Sequence, residues 1–85
     1  MKEIKNILVT GAVGQIGSEL TIALRQKYGA EHVIATGRKT PPSKELEESG
    51  PFHYIDVNSV ESVEEMITKY SIDTVVHMAA ILSAV

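Results

Sequence analysis

Thr10-Gly11-Ala12-Val13-Gly14-Gln15-Ile16-Gly17 carries a glycine at every third position, between the apolar run Ile7-Leu8-Val9 and a stretch with helical periodicity. Such residues are what a chain needs to pass from a strand into a helix whose N-terminus holds a pyrophosphate. Gly11 would allow a sharp turn off the strand, Gly14 a close approach of backbone to the phosphates, and Gly17 tight packing of the helix on the sheet. Unpaired N–H groups in the first helical turn, with the helix dipole, would then favour two negative charges. The spacing is GxxGxxG rather than the more familiar GxGxxG, and flexible loops also collect glycines. The weight of the motif therefore rests on the strand before it and the amphipathic helix after it.

The neighbouring residues supply both elements. Ile7 to Thr10 reads as a buried strand, and the helix after the glycines sets Ile16, Leu20, Ala23 and Leu24 on one face. Arg25 and Lys27 fall in its last turn, at the negative end of the dipole, and Gly29 ends it. Val33 to Thr36 reads as a second strand. Pro41-Pro42-Ser43 breaks the chain, and Ser43 to Ser49 suits a short polar helix before Gly50-Pro51. Phe52 to Val57 reads as a third strand with Asp56 near its end. Asn58 with Glu61 three residues on resembles a capping box, opening a helix that buries Val60, Val63, Ile67 and Tyr70. Thr74 to Ala79 makes a fourth strand.

Strands that lack period-2 polarity and alternate with helices predict an α/β fold, a parallel sheet covered on both faces. Right-handed crossovers put its strands in the order 3-2-1-4. The residues of chemical interest then gather at the carboxyl ends of the strands: Gly11 to Gly17, Gly37 to Lys39, Asp56-Val57 and Met78-Ala79-Ala80. The ends of strands one and four flank the switch point where a dinucleotide lies in such sheets.

Composition narrows the partners. Eighty-five residues make one small domain, burying only about 60 to 65 per cent of the unfolded surface and correspondingly marginal. A net charge of −3 argues against nucleic acid or an anionic membrane as the main partner. No apolar run approaches the ~18 residues of a membrane span, and Met1-Lys2-Glu3-Ile4 leads into the first strand without the apolar segment of a signal peptide. The lack of cysteine excludes disulfides and thiolate zinc sites and fits a reducing cytoplasm. His32 and His53 belong to no cluster with metal-ligand spacing, and His77, on a strand of valine and methionine, is expected to be a satisfied core histidine.

Thr10-Gly11-x-x-Gly14-x-x-Gly17, with His77-Met78-Ala79-Ala80 after the fourth strand, resembles the extended short-chain dehydrogenase/reductase superfamily, which includes sugar-nucleotide epimerases and dehydratases. Gly14-Gln15-Ile16-Gly17-Ser18-Glu19-Leu20, Tyr28-Gly29, Val33-Ile34-Ala35-Thr36, Gly50-Pro51-Phe52, Asp56-Val57 and Ala79-Ala80-Ile81-Leu82-Ser83-Ala84 are similar to the L-threonine 3-dehydrogenases of the short-chain type. Those enzymes oxidise the threonine side-chain hydroxyl with NAD. The resemblance spans essentially the whole chain and implies the N-terminal half of a Rossmann-type doubly wound sheet. It implies a phosphate-binding turn at Gly11, Gly14, Gln15 and Ile16, and an adenine flanked by Asp56 and Val57. It also implies a ribose and nicotinamide contact at Met78, Ala79 and Ala80, a substrate contact at Ser83, and a homodimer formed through helices beyond this sequence. On the residues alone, the alternative for Asp56 is that it ends a strand and helps start the next helix, and Ser83 by itself reads as a loop serine.

Two departures from the family pattern bear on chemistry. About twenty residues past Gly17, where an acidic residue would accept hydrogen bonds from the ribose 2′-hydroxyl of NAD, the chain has Gly37 followed by Arg38 and Lys39. No carboxylate would repel a 2′-phosphate there, and Arg38 can pair with one bidentately, so the expected cofactor is NAD or NADP, with the balance towards NADP. Alternatively, Arg38-Lys39 simply starts a solvated loop. Secondly, the superfamily transfers hydride with a tyrosine and a lysine four residues on. Tyr28, Tyr54 and Tyr70 are followed at that spacing by His32, Asn58 and Thr74, so no such pair is present. Residues 1–85 are accordingly expected to be the dinucleotide-binding part of a longer dehydrogenase, or else a small module that binds a dinucleotide without catalysis while a partner covers its sheet edge. Assayed alone by absorbance of the reduced nicotinamide, the chain is expected to show no threonine-dependent reduction of NAD or NADP. Measurable turnover would refute the missing catalytic pair.

Overall fold

Ile7–Thr10 forms β1, buried at every position, in a computed structural model that describes residues 4–56 and 58–78. Apolar side chains on both faces suit a central parallel strand, and β1 has parallel neighbours on each side. It pairs with β2 (Val33–Gly37) through Ile7 opposite Val33, and with β4 (Thr74–His77) through Leu8 opposite Val75. β3 (Phe52–Tyr54) adds to the outer edge of β2, giving the expected order β3-β2-β1-β4.

The two faces of the sheet are covered differently. Ile7, Val9, Val33 and Ala35 meet Leu46 of the short helix α2 (Lys44–Ser49) and Leu20, Leu24 and Tyr28 of α1 (Gln15–Tyr28). On the opposite face Leu8 and Ile34 are buried, and α3 (Val60–Tyr70) reaches that face through Tyr70. Its Tyr70 hydroxyl lies 2.6 Å from Nε2 of His53, which pairs with Thr36 and therefore points to the Ile34 side. The cover stops short of β4, where Val75, opposite Leu8, is 46% exposed. Side chains tie β4 to β1 at both ends. The Asp73 carboxylate accepts from the N–H groups of Lys5 and Asn6, and Thr10 Oγ1 is hydrogen-bonded to Nδ1 of His77.

Several local expectations shift. Ile16 is 60% exposed and Ala23 is exposed, so the buried stripe of α1 is rotated to Gly17, Thr21 and Arg25, with Leu20 and Leu24 on its flank. Arg25 therefore sits inside the fold, not merely at a solvated helix end. β3 ends at Tyr54, three residues early, because β2 stops at Gly37 and offers only its carbonyl to the Ile55 N–H (2.9 Å). Asn58 is not the cap of α3. Its N–H donates to Asp56 Oδ1 (2.9 Å), and Ser59 takes the N-cap by accepting from the Ser62 N–H. Val60, in the first turn beyond that cap, is 68% exposed, while Val63, Ile67 and Tyr70 are half-buried. β4 ends at His77 rather than Ala79, and His77 is exposed, since it lies on the face that α3 leaves open.

Candidate functional site

The turn after β1 is built by its glycines in three distinct ways. Gly11 has φ +68°, the left-handed region where a side chain is strained, and it swings the chain off the strand. Gly17 is required by space. A Cβ there would lie 2.7 Å from the Gly11 carbonyl oxygen and 3.0 Å from Ala12 Cα, so the helix packs on the backbone of its own turn rather than on the sheet. Gly14 has neither reason. Its φ of −67° suits any residue, and nothing lies within 4 Å of a Cβ placed on it. The bare backbone at Gly14 faces open space at the start of α1, where a ligand can approach it.

The first turn of α1 is equally open. Gly14 is its N-cap, with no side-chain hydrogen bond to the helix, and the first turn contains no acidic residue. The orphan N–H groups there and the positive end of the dipole fit an anion, so the residues present suit a dinucleotide pyrophosphate. Ile16, exposed in the same turn, stands with Gln15 beside this opening.

Backbone hydrogen bonds align the neighbouring strand ends with the turn. The Ala12 N–H donates to Thr36 O (3.0 Å), the Ile55 N–H to Gly37 O (2.9 Å), and Ser18 Oγ to Ala12 O (2.9 Å). The Thr36 hydroxyl donates to Val9 O (2.9 Å), locking β2 to β1. Gly37 is the last residue of β2 and is buried, whereas Arg38 and Lys39 are exposed just beyond it. Asp56 is exposed past the end of β3, with one carboxylate oxygen held by Asn58. Met78 is 2% exposed after β4. The fold thus gathers Gly11, Gly14, Gln15, Ile16, Gly17, Gly37, Arg38, Asp56 and Met78 at the carboxyl edge of the sheet. Val57, Ala79, Ala80 and Ser83 lie outside the described residues.

Three further side chains at this edge make contacts that their motifs do not announce. Val13 and Phe52 border Gly37, and Thr10 joins the ends of β1 and β4 through His77. Only pairing register reveals them, since each contact spans many residues of sequence. Among the described residues no group of histidine and acidic side chains could hold a metal ion, and no helix is long and apolar enough to cross a membrane.

Comparison with known proteins agrees with this geometry. The chain is 44% identical over 80 residues to an uncharacterised epimerase/dehydratase of Staphylococcus epidermidis, covering 94% of this chain and 25% of that protein. Its structure matches that of L-threonine dehydrogenase from Clostridium difficile with a TM-score of 0.82 and 46% identity, over 89% of this chain and 24% of the other. L-threonine dehydrogenase from Phytophthora infestans matches with a TM-score of 0.73 and 38% identity, over 86% and 22% of the two chains. The sequence spans about a quarter of the length of these relatives. Residues 7–85 match the family model described as the NAD dependent epimerase/dehydratase family. With the strand order, the glycine turn and this match all falling on the same residues, the chain belongs to the NAD dependent epimerase/dehydratase family.

Proposed function

We propose that this chain is the dinucleotide-binding part of an NAD(P)-dependent cytoplasmic oxidoreductase that oxidises the side-chain hydroxyl of L-threonine, with NADP as the preferred cofactor. The observation that carries the binding role is the uncapped, acid-free start of α1 beside the open backbone of Gly14. The likeness to threonine dehydrogenases supports the substrate. When bound, the cofactor supplies the hydride acceptor. The chain's own residues hold its pyrophosphate at Gly14, Gln15 and Ile16, and Asp56 flanks the adenine.

The cofactor preference rests on the end of β2. No carboxylate stands there, and the first exposed side chain is the guanidinium of Arg38. Calorimetric titration of the protein with NAD and NADP is expected to show tighter NADP binding. Arg38→Ala is expected to weaken NADP about tenfold, the loss of one charge-assisted hydrogen-bonded contact, and to change NAD binding less than about twofold. Equal or tighter NAD binding by the parent protein would sink the preference, and no binding of either would sink the reading itself.

A second reading, a sugar-nucleotide epimerase or dehydratase, is favoured by the match to the epimerase/dehydratase family and by the likeness to the staphylococcal epimerase/dehydratase. It shares the same turn and differs in substrate and in reaction, since epimerisation and dehydration leave no net reduction of the cofactor.

A further inference from the structure

Gly37 occupies the position at which a carboxylate would meet the ribose 2′-hydroxyl, and the structure shows why it has no side chain. Its backbone is not the cause, for the described glycines with positive φ are Gly11 and Gly29. Space is. A Cβ at position 37 would lie 2.9 Å from Val13 Cγ1 and 3.0 Å from Phe52 Cζ. Neither neighbour yields easily. Valine is stiff about χ1. The Phe52 ring packs against the core of the α1 face and meets Tyr54 edge-on, with ring centroids 5.2 Å apart and planes at 87°. Overfilling such a packed site forces side chains off their rotamers.

We propose that Val13 and Phe52 are positioning residues for cofactor choice: by filling the space beside residue 37 they exclude a carboxylate from the end of β2 and leave Arg38 as the first side chain at the ribose. The preference is thereby written into two apolar residues from the glycine turn and from β3, neither of which need touch the 2′-substituent. This inference rests on the dinucleotide reading above. It differs from a purely structural role in one respect: trimming the two side chains must change which nucleotide an acid at position 37 selects.

The test compares the parent protein, Gly37→Asp, and the triple variant Val13→Ala/Gly37→Asp/Phe52→Leu, each titrated with NAD and with NADP. Gly37→Asp alone is expected to melt at a lower temperature and to weaken both nucleotides together, shifting the ratio of their Kd values less than about threefold. The triple variant is expected to shift that ratio about tenfold or more towards NAD, the scale of a hydrogen bond between a carboxylate and the ribose hydroxyls. Gly37→Ala, made with and without the Val13→Ala/Phe52→Leu pair, reads the crowding separately. Its loss of melting temperature should largely vanish in the trimmed background. Should Gly37→Asp fail to fold, the triple variant and the alanine cycle decide the matter. A full shift to NAD by Gly37→Asp alone, or no larger shift in the triple variant, overturns the inference while leaving nucleotide binding intact. A parent protein that binds neither nucleotide overturns the reading beneath it, whatever the alanine cycle shows.

Discussion

Replacing Arg25 with methionine is expected to lower the unfolding free energy by about 2–3 kcal/mol, from the buried hydrogen bonds to a charged group that are lost. Arg25 is 5% exposed. Its Nε and Nη2 donate to Val33 O (3.2 and 3.0 Å), Nη1 to Leu46 O (3.0 Å) and Ser49 Oγ (2.8 Å), and Nη2 also to Pro51 O. The five guanidinium donors are thus all engaged. One side chain of α1 thereby joins the start of β2, the last turn of α2 and the entry to β3. These partners are all uncharged, and burial lowers the guanidinium pKa from its ordinary value. Its charge is met instead by carbonyl dipoles, among them Leu46 O in the last turn of α2.

Methionine fills most of the space of the stem but strips Val33 O of both Arg25 donors. The Leu46 and Pro51 carbonyls keep a bond each, from Ser49 Oγ and from the Ala35 N–H. Arg25→Lys is expected to recover only part of the loss, because an ammonium cannot span the fork of acceptors. Urea denaturation read by circular dichroism measures both variants. A methionine variant within about 0.5 kcal/mol of the parent, the range of ordinary surface substitutions, would show that the clamp is not what holds α2.

Gly17→Ala should cost a further kind of stability, about 2–3 kcal/mol through overpacking, although alanine favours a helix over glycine by about 1 kcal/mol. The atoms that an added methyl would strike, the Gly11 and Ala12 carbonyl oxygens and Ala12 Cα, are all backbone and cannot rotate away. They also form the turn to which the proposed function assigns the pyrophosphate, so nucleotide binding should fall with the stability. Gly14→Ala separates the two effects. Its methyl enters open space at an ordinary φ, and stability should stay within about 0.5 kcal/mol of the parent. NAD and NADP should nevertheless both bind at least about tenfold more weakly, because the methyl stands where the phosphates approach. If Gly14→Ala binds as the parent does, the phosphates do not lie there. If Gly17→Ala melts as the parent does, the turn is softer than its contacts indicate.

The buried strands and their order were legible because both depend on short-range pattern. Ile7-Leu8-Val9 and Val33-Ile34-Ala35 are apolar without alternation, and helices between them demand right-handed parallel crossovers. Helix faces were less legible. Periodicity placed Ile16 and Ala23 inward, yet the close approach of Gly17 to the turn rotates α1 so that Thr21 and Arg25 are buried instead. Arg25 reads in the sequence as a solvated cation because nothing local announces the Val33, Leu46, Ser49 and Pro51 acceptors, which come together only on folding. The cap of α3 was misplaced by one residue for a similar reason. Asp56 draws the Asn58 N–H into a turn of its own, and the helix starts at the next hydroxyl.

By itself the sequence determined the alternation of strands and helices, the glycine turn and its station at the strand ends, because these follow from spacing along the chain. It also carried the absence of an acid at position 37. Tertiary structure alone decided the reason for that absence and the place of Arg25. Val13, Gly37 and Phe52 are far apart in sequence and meet only where the β1 turn, β2 and β3 are brought into register. Packing in three dimensions, not spacing along the chain, sets which side chain has room and which buried donor finds its acceptors.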